Sequence, residues 1–371
     1  MPKHKIRRVT VTPAENLDAA LASGKRLQLT AGVYAVTKDI PDGVDVKGAS
    51  REETHVKGRI TYGSNSVFRN LKLGDAGYSI RNRAGATQTA FEFCQLRGGG
   101  GDGGDWYNLL LGDWGRSCSH ITFAATNIEC CLGDGNNARV TENAADGGAH
   151  VEYVRFDGCH FGVSNGVRSG CPRMDLEVVT VDLAHTDTVF HHGWSHIDVI
   201  DSVFEPSDWY NIDLADHVIT GTQERASGPS LIRGNTLKGG KKYTICTESP
   251  AGVVIEGNTM YRGGMNTVKF GCGDMSLVDC ATVIRGNTFD LDHDNGIALG
   301  SPVFYVKGGD NEITGNVVKA SQARTLFAFE QARRNLVTGN TITVSAGATV
   351  FAGAASGANV TSPNTINGVV K

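Results

Sequence analysis

The chain of 371 residues contains no apolar run of 18 residues, so nothing in it reads as a helix that crosses a membrane, and membrane insertion is not expected. No run of 7–15 apolar residues follows the basic opening Met1–Arg8, so that segment does not read as a secretory signal. There is no excess of positive charge: 35 Lys and Arg stand against 39 Asp and Glu, a formal net charge of −4, which gives no electrostatic case for nucleic acid. The nine cysteines are odd in number and include no C-x-x-C pair. Cys94, Cys159, Cys246 and Cys272 fall at strand or corner positions and read as reduced, small apolar residues rather than disulfides or metal ligands. Proline is scarce, nine residues against 48 glycines, which suits a chain full of tight corners. A ten-residue helical pattern is missing from the repeats described next.

What the sequence does have is one returning phrase. L-I-R-G-N-T-L ends at Leu237, V-I-E-G-N-T-M at Met260 and V-I-R-G-N-T-F at Phe289. E-I-T-G-N-V-V ends at Val318, L-V-T-G-N-T-I at Ile342, and a worn copy, N-V-T-S-P-N-T-I, at Ile366. Its asparagines, Asn235, Asn258, Asn287, Asn316, Asn340 and Asn364, are spaced 23, 29, 29, 24 and 24 residues apart. A period of this size means a stack of similar units. In each copy alternating apolar residues form a short half-buried strand, Gly-Asn makes a corner, and the next apolar residue starts a second strand. The rest of each period holds a third strand: Thr244–Thr247, Thr267–Phe270, Val303–Val306, Thr325–Phe329 and Thr349–Phe351. Three short strands per turn describe an all-β fold, a single-stranded right-handed parallel β-helix of roughly 11–13 coils, with coils about 4.8 Å apart. Asparagine suits the corner because stacked amides bond from coil to coil, where stacked carboxylates would repel.

Upstream the phrase degrades. The corner is assigned to Asn70, Cys94, the residues around Asn127, Cys159 and Ser202, with intervals that swell to 43 residues and imply inserted loops. Thr12-Pro13-Ala14-Glu15 reads as a helix start with Thr12 as N-cap, so residues 1–26 are an arm and a short capping helix over the first coil. The β-helix occupies residues 27–371, with loop-rich coils over 95–225 and regular coils over 230–371.

Residues Asn16–Ser50, N-L-D-A-A-L-A-S-G-K-R-L-Q-L-T-A-G-V-Y-A-V followed by G-V-D-V-K-G-A-S, together with the G-N-T corners, resemble the pectate-lyase-like right-handed parallel β-helix superfamily. The segment H-T-D-T-V-F-H-H-G, from His185 to Gly193, resembles a strand of phage minor tail and tailspike β-helix proteins. The resemblance implies a virion protein, assembled in the host cytoplasm, that contacts host-envelope polysaccharide and other phage tail proteins. It also implies a homotrimer around the helix axis and admits depolymerase activity. The alternatives are a secreted polysaccharide lyase or glycoside hydrolase, which would be extracellular, and a purely structural tail element.

Asp182 to His217 is the richest stretch for chemistry, holding carboxylates that accept sugar hydroxyls beside aromatic rings that cover a sugar's apolar face. His185-Thr186-Asp187 resembles the Asn-Thr-Asp phrase of polygalacturonases. Asp187 with His185, facing Asp213 or Glu248 on neighbouring coils, is the candidate catalytic set, since inverting hydrolysis needs carboxyl groups about 6.5–9.5 Å apart. A hydrogen-bonded Asp–His pair that merely fixes a corner is the competing reading. Trp194, Trp209, Tyr210, His192 and Trp106 are the candidate glycan-binding residues. His191, His192 and His196 do not make a metal site, since neighbours on a strand point to opposite faces. Asp290, Asp292 and Asp294 resemble a calcium loop with the glycine one place late and Ser301 where Glu is usual; otherwise no cofactor is called for. Gly98–Gly104 lacks the Lys-Ser/Thr of a phosphate loop, and Arg168, Arg173, Asp175 and Glu177 read as ion-paired loop residues. If Ile245, Val268 and Leu326 point inward, then Glu248, Lys269, Phe327 and Asp213 form a mixed-charge outer stripe along the coils.

Overall fold

The computed structural model describes residues 7–75, 78, 80–98, 108–112, 116–130, 138–143, 150–162, 176–181, 193–207, 210–217, 230–247, 253–270, 281–354 and 358–371. Among them, regular structure consists of short strands and one six-residue helix. The strands form three sheets of thirteen, fourteen and eleven strands. One coil shows the rule: Ser230–Arg233 lies in the first sheet, Thr236–Leu237 in the second and Tyr243–Thr247 in the third, after which Val253–Glu256 returns to the first. Each strand pairs in parallel with its counterpart one coil away. An antiparallel pair, Thr365–Ile366 with Val369–Val370, lies at the far end of the second sheet.

The helix is Leu17–Ala22, and its cap corrects the sequence reading. Asn16, not Thr12, is the N-cap, its side-chain oxygen accepting from the Ala19 N–H. Thr12 and Glu15 do form reciprocal bonds, but these close a separate turn before the helix. Leu17 and Leu21 are buried on the core, and residues 9–11 precede the helix as a strand of the first sheet.

Inside, like stacks on like. Phe68, Phe91, Phe123 and Phe156 form a column in the first sheet, with ring centroids 5.1, 5.0 and 4.9 Å apart and planes nearly parallel. Register continues that column through Val199, Ile232, Ile255 and Ile284. Phe304, Phe327 and Phe351 stack in the third sheet at 4.4 and 5.4 Å. Each buried phenyl contributes about 1.5–3 kcal/mol, and stacking adds to that.

The asparagine corner is a continuous ladder. Asn258 donates its backbone N–H and its side-chain N–H to Asn287 Oδ1, each at 2.9 Å, and Asn287 does the same to Asn316 Oδ1. The amide of each also donates to a carbonyl of the preceding coil, as Asn287 Nδ2 does to Ile255 O. The upstream corner keeps this chemistry with other groups. Thr126 Oγ1 donates to Phe91 O, and the Cys94 and Cys159 thiols donate to Phe68 O and Phe123 O. Ser202 Oγ accepts the Cys159 N–H at 3.0 Å. Burial pushes the Cys94, Cys118 and Cys159 thiols up to about 12. Cys246 is also free and buried, whereas Cys272 lies outside the described residues.

Register moves one assignment by one residue. Lys72 pairs with Gln95, so Leu71 aligns with Cys94 and Asn70 is not a ladder residue; Gln95 pairs with Asn127, so the corner there falls on Thr126. Asn70 instead holds the place of the corner glycine. That place is left-handed throughout, with φ of 64° at Gly257 and 61° at Gly286, and also 51° at Asn70, 55° at Phe93 and 46° at Ala125. A second ladder, not expected from the sequence, runs at the corner between the third and first sheets. There Thr282 donates its N–H to Asn311, Asn311 to Asn335, and Asn335 to Asn359.

Candidate functional site

The outer face of the third sheet gathers titratable side chains in one line. The strands Tyr210–His217, Tyr243–Thr247, Asn266–Phe270, Phe304–Gly309 and Thr325–Arg333 stack in register. Ile212, Ile245, Val268, Phe304 and Phe327 face the core in succession, each fully buried. The next position along each strand is Asp213, Cys246, Lys269, Tyr305 and Ala328, which alternation turns away from the core, although Cys246 is itself covered. In the backbone register Asp213 pairs with residue Glu177 of the strand Leu176–Val181. At about 4.8 Å per coil, Asp213 lies roughly 10 Å from Lys269 and roughly 14 Å from Tyr305 along the axis.

This register corrects the expected stripe. Phe327 faces inward, and its outward place is taken by Ala328, with Tyr305 beside it. The parity rule failed because two consecutive residues bury themselves where the chain enters this sheet, as Thr267 with Val268 and Leu326 with Phe327 show. Alternation begins only after that pair. Asp213 and Lys269 do share the stripe; Glu248 lies outside the described residues.

The polar groups on this face hold one another. Tyr305 Oη donates to Glu330 Oε2 at 2.6 Å. Burial pushes the Tyr305 phenol up to about 12, the Glu330 carboxylate reinforces this, and Lys269 opposes it. The phenol is therefore a neutral donor at ordinary pH and not a base. Lys269 Nζ sits 4.9 Å from the centre of the Tyr243 ring, a cation–π contact worth about 0.5–1 kcal/mol at an exposed site. The face thus offers an ammonium, the separate carboxylates of Asp213 and Glu330, and aromatic rings along one line, a set that can hydrogen-bond hydroxyls and cover apolar ring faces.

The remaining sequence candidates are dispersed. Asp187, His185, His192, Trp209 and Trp106 lie outside the described residues, as do Arg168, Arg173 and Asp175. Trp194 belongs to a strand of the first sheet, away from the line that carries Asp213. Tyr210, expected to present its ring to sugar, is only 5% exposed; Tyr243, its partner one coil on, is the more accessible ring. His196 packs on Tyr153, ring centroids 4.4 Å apart, and Tyr153 on His120 at 4.8 Å. The calcium-like loop does not gather its carboxylates. Asp292 accepts from Ser321 and Asp294 from the Gly296 N–H, while the Arg262 guanidinium takes the carbonyls of Leu291 and Asp292. Among the described residues no group of three His, Cys, Asp or Glu is placed to hold a metal ion. Tyr305, Glu330 and Tyr243 were missed in the sequence, although F-Y-V-K and F-A-F-E show the first two once the parity is set by Phe304 and Phe327.

A family profile described as right handed beta helix region matches residues 189–366. Solved structures similar to this chain include the mannuronan C-5 epimerase A-module of Azotobacter vinelandii, at 14% identity, covering 95% of this chain and 91% of that one with a TM-score of 0.46. They also include PfbA, a surface adhesin of Streptococcus pneumoniae, at 11% identity, 90% and 87% coverage and a TM-score of 0.49. A third is the tailspike protein of Acinetobacter baumannii bacteriophage Fri1, a capsular polysaccharide depolymerase, at 14% identity, 95% and 64% coverage and a TM-score of 0.43. At such identities and scores none of these assigns an activity to this chain. A search of curated proteins by sequence gave no match. The profile match over 189–366, together with parallel strands stacked in three sheets from Val9 to Ile366, shows that the chain has the right-handed parallel β-helix fold.

Proposed function

We propose that this β-helix binds an extended polysaccharide along the outer face of its third sheet, as the glycan-contacting component of a phage tail. The observation that supports the reading is the line of Asp213, Lys269 and the Tyr305–Glu330 pair along one face, with the buried Cys246 on the coil between Asp213 and Lys269, a polar and aromatic track parallel to the axis. Binding is favoured over cleavage because the Tyr305 proton is already given to Glu330, and the Asp213 and Glu330 carboxylates stand four coils apart, roughly 19 Å, whereas hydrolysis needs two carboxyl groups across one sugar bond. The tail assignment and the trimer come from the resemblance of His185–Gly193 and of the corners.

The test is retention on an array of bacterial envelope and capsular polysaccharides. Wild type is expected to be retained, and Lys269→Ala and Tyr305→Phe to weaken retention by roughly tenfold each, the loss of one charge-assisted or well-placed hydrogen bond. Retention unchanged in both variants sinks the assignment to this face. New reducing ends or unsaturated sugar released from a retained glycan would move the reading to a depolymerase. A solution mass of 39.3 kDa, that of one chain, would count against the trimer.

A further inference from the structure

A second surface feature lies at the corner between the first and second sheets, away from the track just described. It is a groove of about 570 Å³, lined by Arg51, Glu52, Asn70, Phe93 and Asn127 among others, and running to Gly158. Asn70, Phe93, Ala125 and Gly158 occupy one column, the left-handed corner position of four consecutive coils, so the floor extends roughly 14 Å along the axis at the usual coil spacing. The turn that carries Arg51 and Glu52 forms its wall at the end near the first coil.

Phe93 is the informative residue. Later coils place glycine in this column, as at Gly257 and Gly286, where a side chain has open space around it but a strained backbone. Phe93 accepts that strain at φ 55° and is 58% exposed as a residue. A bulky residue in the left-handed region is unfavourable, and its ring gains little burial here in return. Such an outlier points from the backbone to a use for the side chain. The groove around it supplies amides from Asn70 and Asn127. It also supplies an Arg51–Glu52 ion pair, Nε to Oε1 at 3.0 Å, whose charges cancel. An aromatic face flanked by amides and a neutralised ion pair matches a neutral sugar ring, which has one apolar face and a rim of hydroxyls.

We infer that the Phe93 groove is a second carbohydrate subsite, which takes a neutral hexose unit of a polysaccharide. The inference rests on the reading of the protein as a glycan binder, though not on the third-sheet face being the site. The test uses the full chain on an array of neutral and uronic-acid bacterial glycans, with melting temperature measured in parallel. Phe93→Gly deletes the ring and relieves the backbone. It is expected to melt no lower than wild type and to bind neutral glycans roughly tenfold more weakly, the loss of one aromatic contact. Asp201→Gly makes the same backbone change at φ 48° in the same column, outside the groove, and is expected to leave binding unchanged. Neutral-glycan binding that survives Phe93→Gly, or that Asp201→Gly weakens equally, overturns the subsite. If Lys269→Ala abolishes binding in that case, the third-sheet reading stands alone. If instead Phe93→Gly weakens binding and Lys269→Ala does not, the groove stands and the third-sheet reading falls. Retention of no neutral glycan overturns the subsite outright.

Discussion

Replacing Asn287 by alanine takes one rung from the middle of the first ladder. Its Oδ1 accepts both N–H groups of Asn258, and its Nδ2 donates to Ile255 O and to Asn316 Oδ1, all within 2.9–3.0 Å and at 1% exposure. After Asn287→Ala the Asn258 side chain keeps Ile232 O, and Asn316 Oδ1 keeps the residue 287 backbone N–H, but the buried Asn258 N–H loses its acceptor. One orphaned buried donor costs about 1–3 kcal/mol and each lost bond a further 0.5–1.5, so the variant is expected to lose about 2–5 kcal/mol. Asn287→Ser is expected to cost about half of that, since a hydroxyl at this corner accepts the neighbouring N–H, as Ser202 does for Cys159. Urea unfolding with m compared across variants gives the stability, and hydrogen exchange at the Asn258 amide gives the local effect, which matters because a stack of coils can open in part. If Asn287→Ala lies within about 0.5 kcal/mol of wild type and the Asn258 amide stays protected, the ladder is ornamental and the reasoning fails.

Two further outcomes follow from the titrating groups. The Tyr305 phenol is held protonated to about 12, first by burial and then by Glu330, so a phenolate absorbance titration should show one late tyrosine that Tyr305→Phe removes. Because its folded pKa is raised, its contribution to stability is complete below the unfolded value of about 10 and is lost as pH rises towards 12; a Tyr305→Phe chain that loses stability over the same window in full would refute this. Alkylation of the native chain, mapped by mass spectrometry, should leave Cys94, Cys118 and Cys159 unmodified until the chain is unfolded, since burial holds them as thiols.

Much of the fold is written in the phrase around Asn235 to Asn364, because one buried corner with a fixed backbone and fixed partners tolerates little else. The same corner is hard to read upstream, where Cys94, Thr126, Cys159 and Ser202 donate to or accept from the same kinds of backbone groups with sulfur or hydroxyl in place of an amide. Asn70 misled because asparagine also suits the left-handed place beside the ladder. The second ladder was visible as an asparagine five residues before the corner one, at Asn311, Asn335 and Asn359, and was overlooked for want of a glycine in front of it. For the site, composition singled out Asp182–His217, whose His185 and Asp187 fall outside the described residues, whereas the track on the third sheet depends on register and parity. Lys269 and Asp213 were found by alternation; Tyr305 and Glu330 were not, because the buried pair at the start of each strand shifts the phase by one.

The change of ladder chemistry along the axis also makes the molecule mechanically uneven. From Asn235 onward each corner ties a coil to the next by two bonds, backbone N–H and side-chain N–H, onto one amide oxygen. Between Cys94 and Ser202 the corresponding ties are single N–H bonds to a hydroxyl, one of them stretched to 3.4 Å. Under a tensile load along the axis the corner therefore carries less in this stretch, and the first sheet carries more, with seven paired residues between His150–Asp157 and Gly193–Ile200 against three between Val283–Arg285 and Glu312–Thr314.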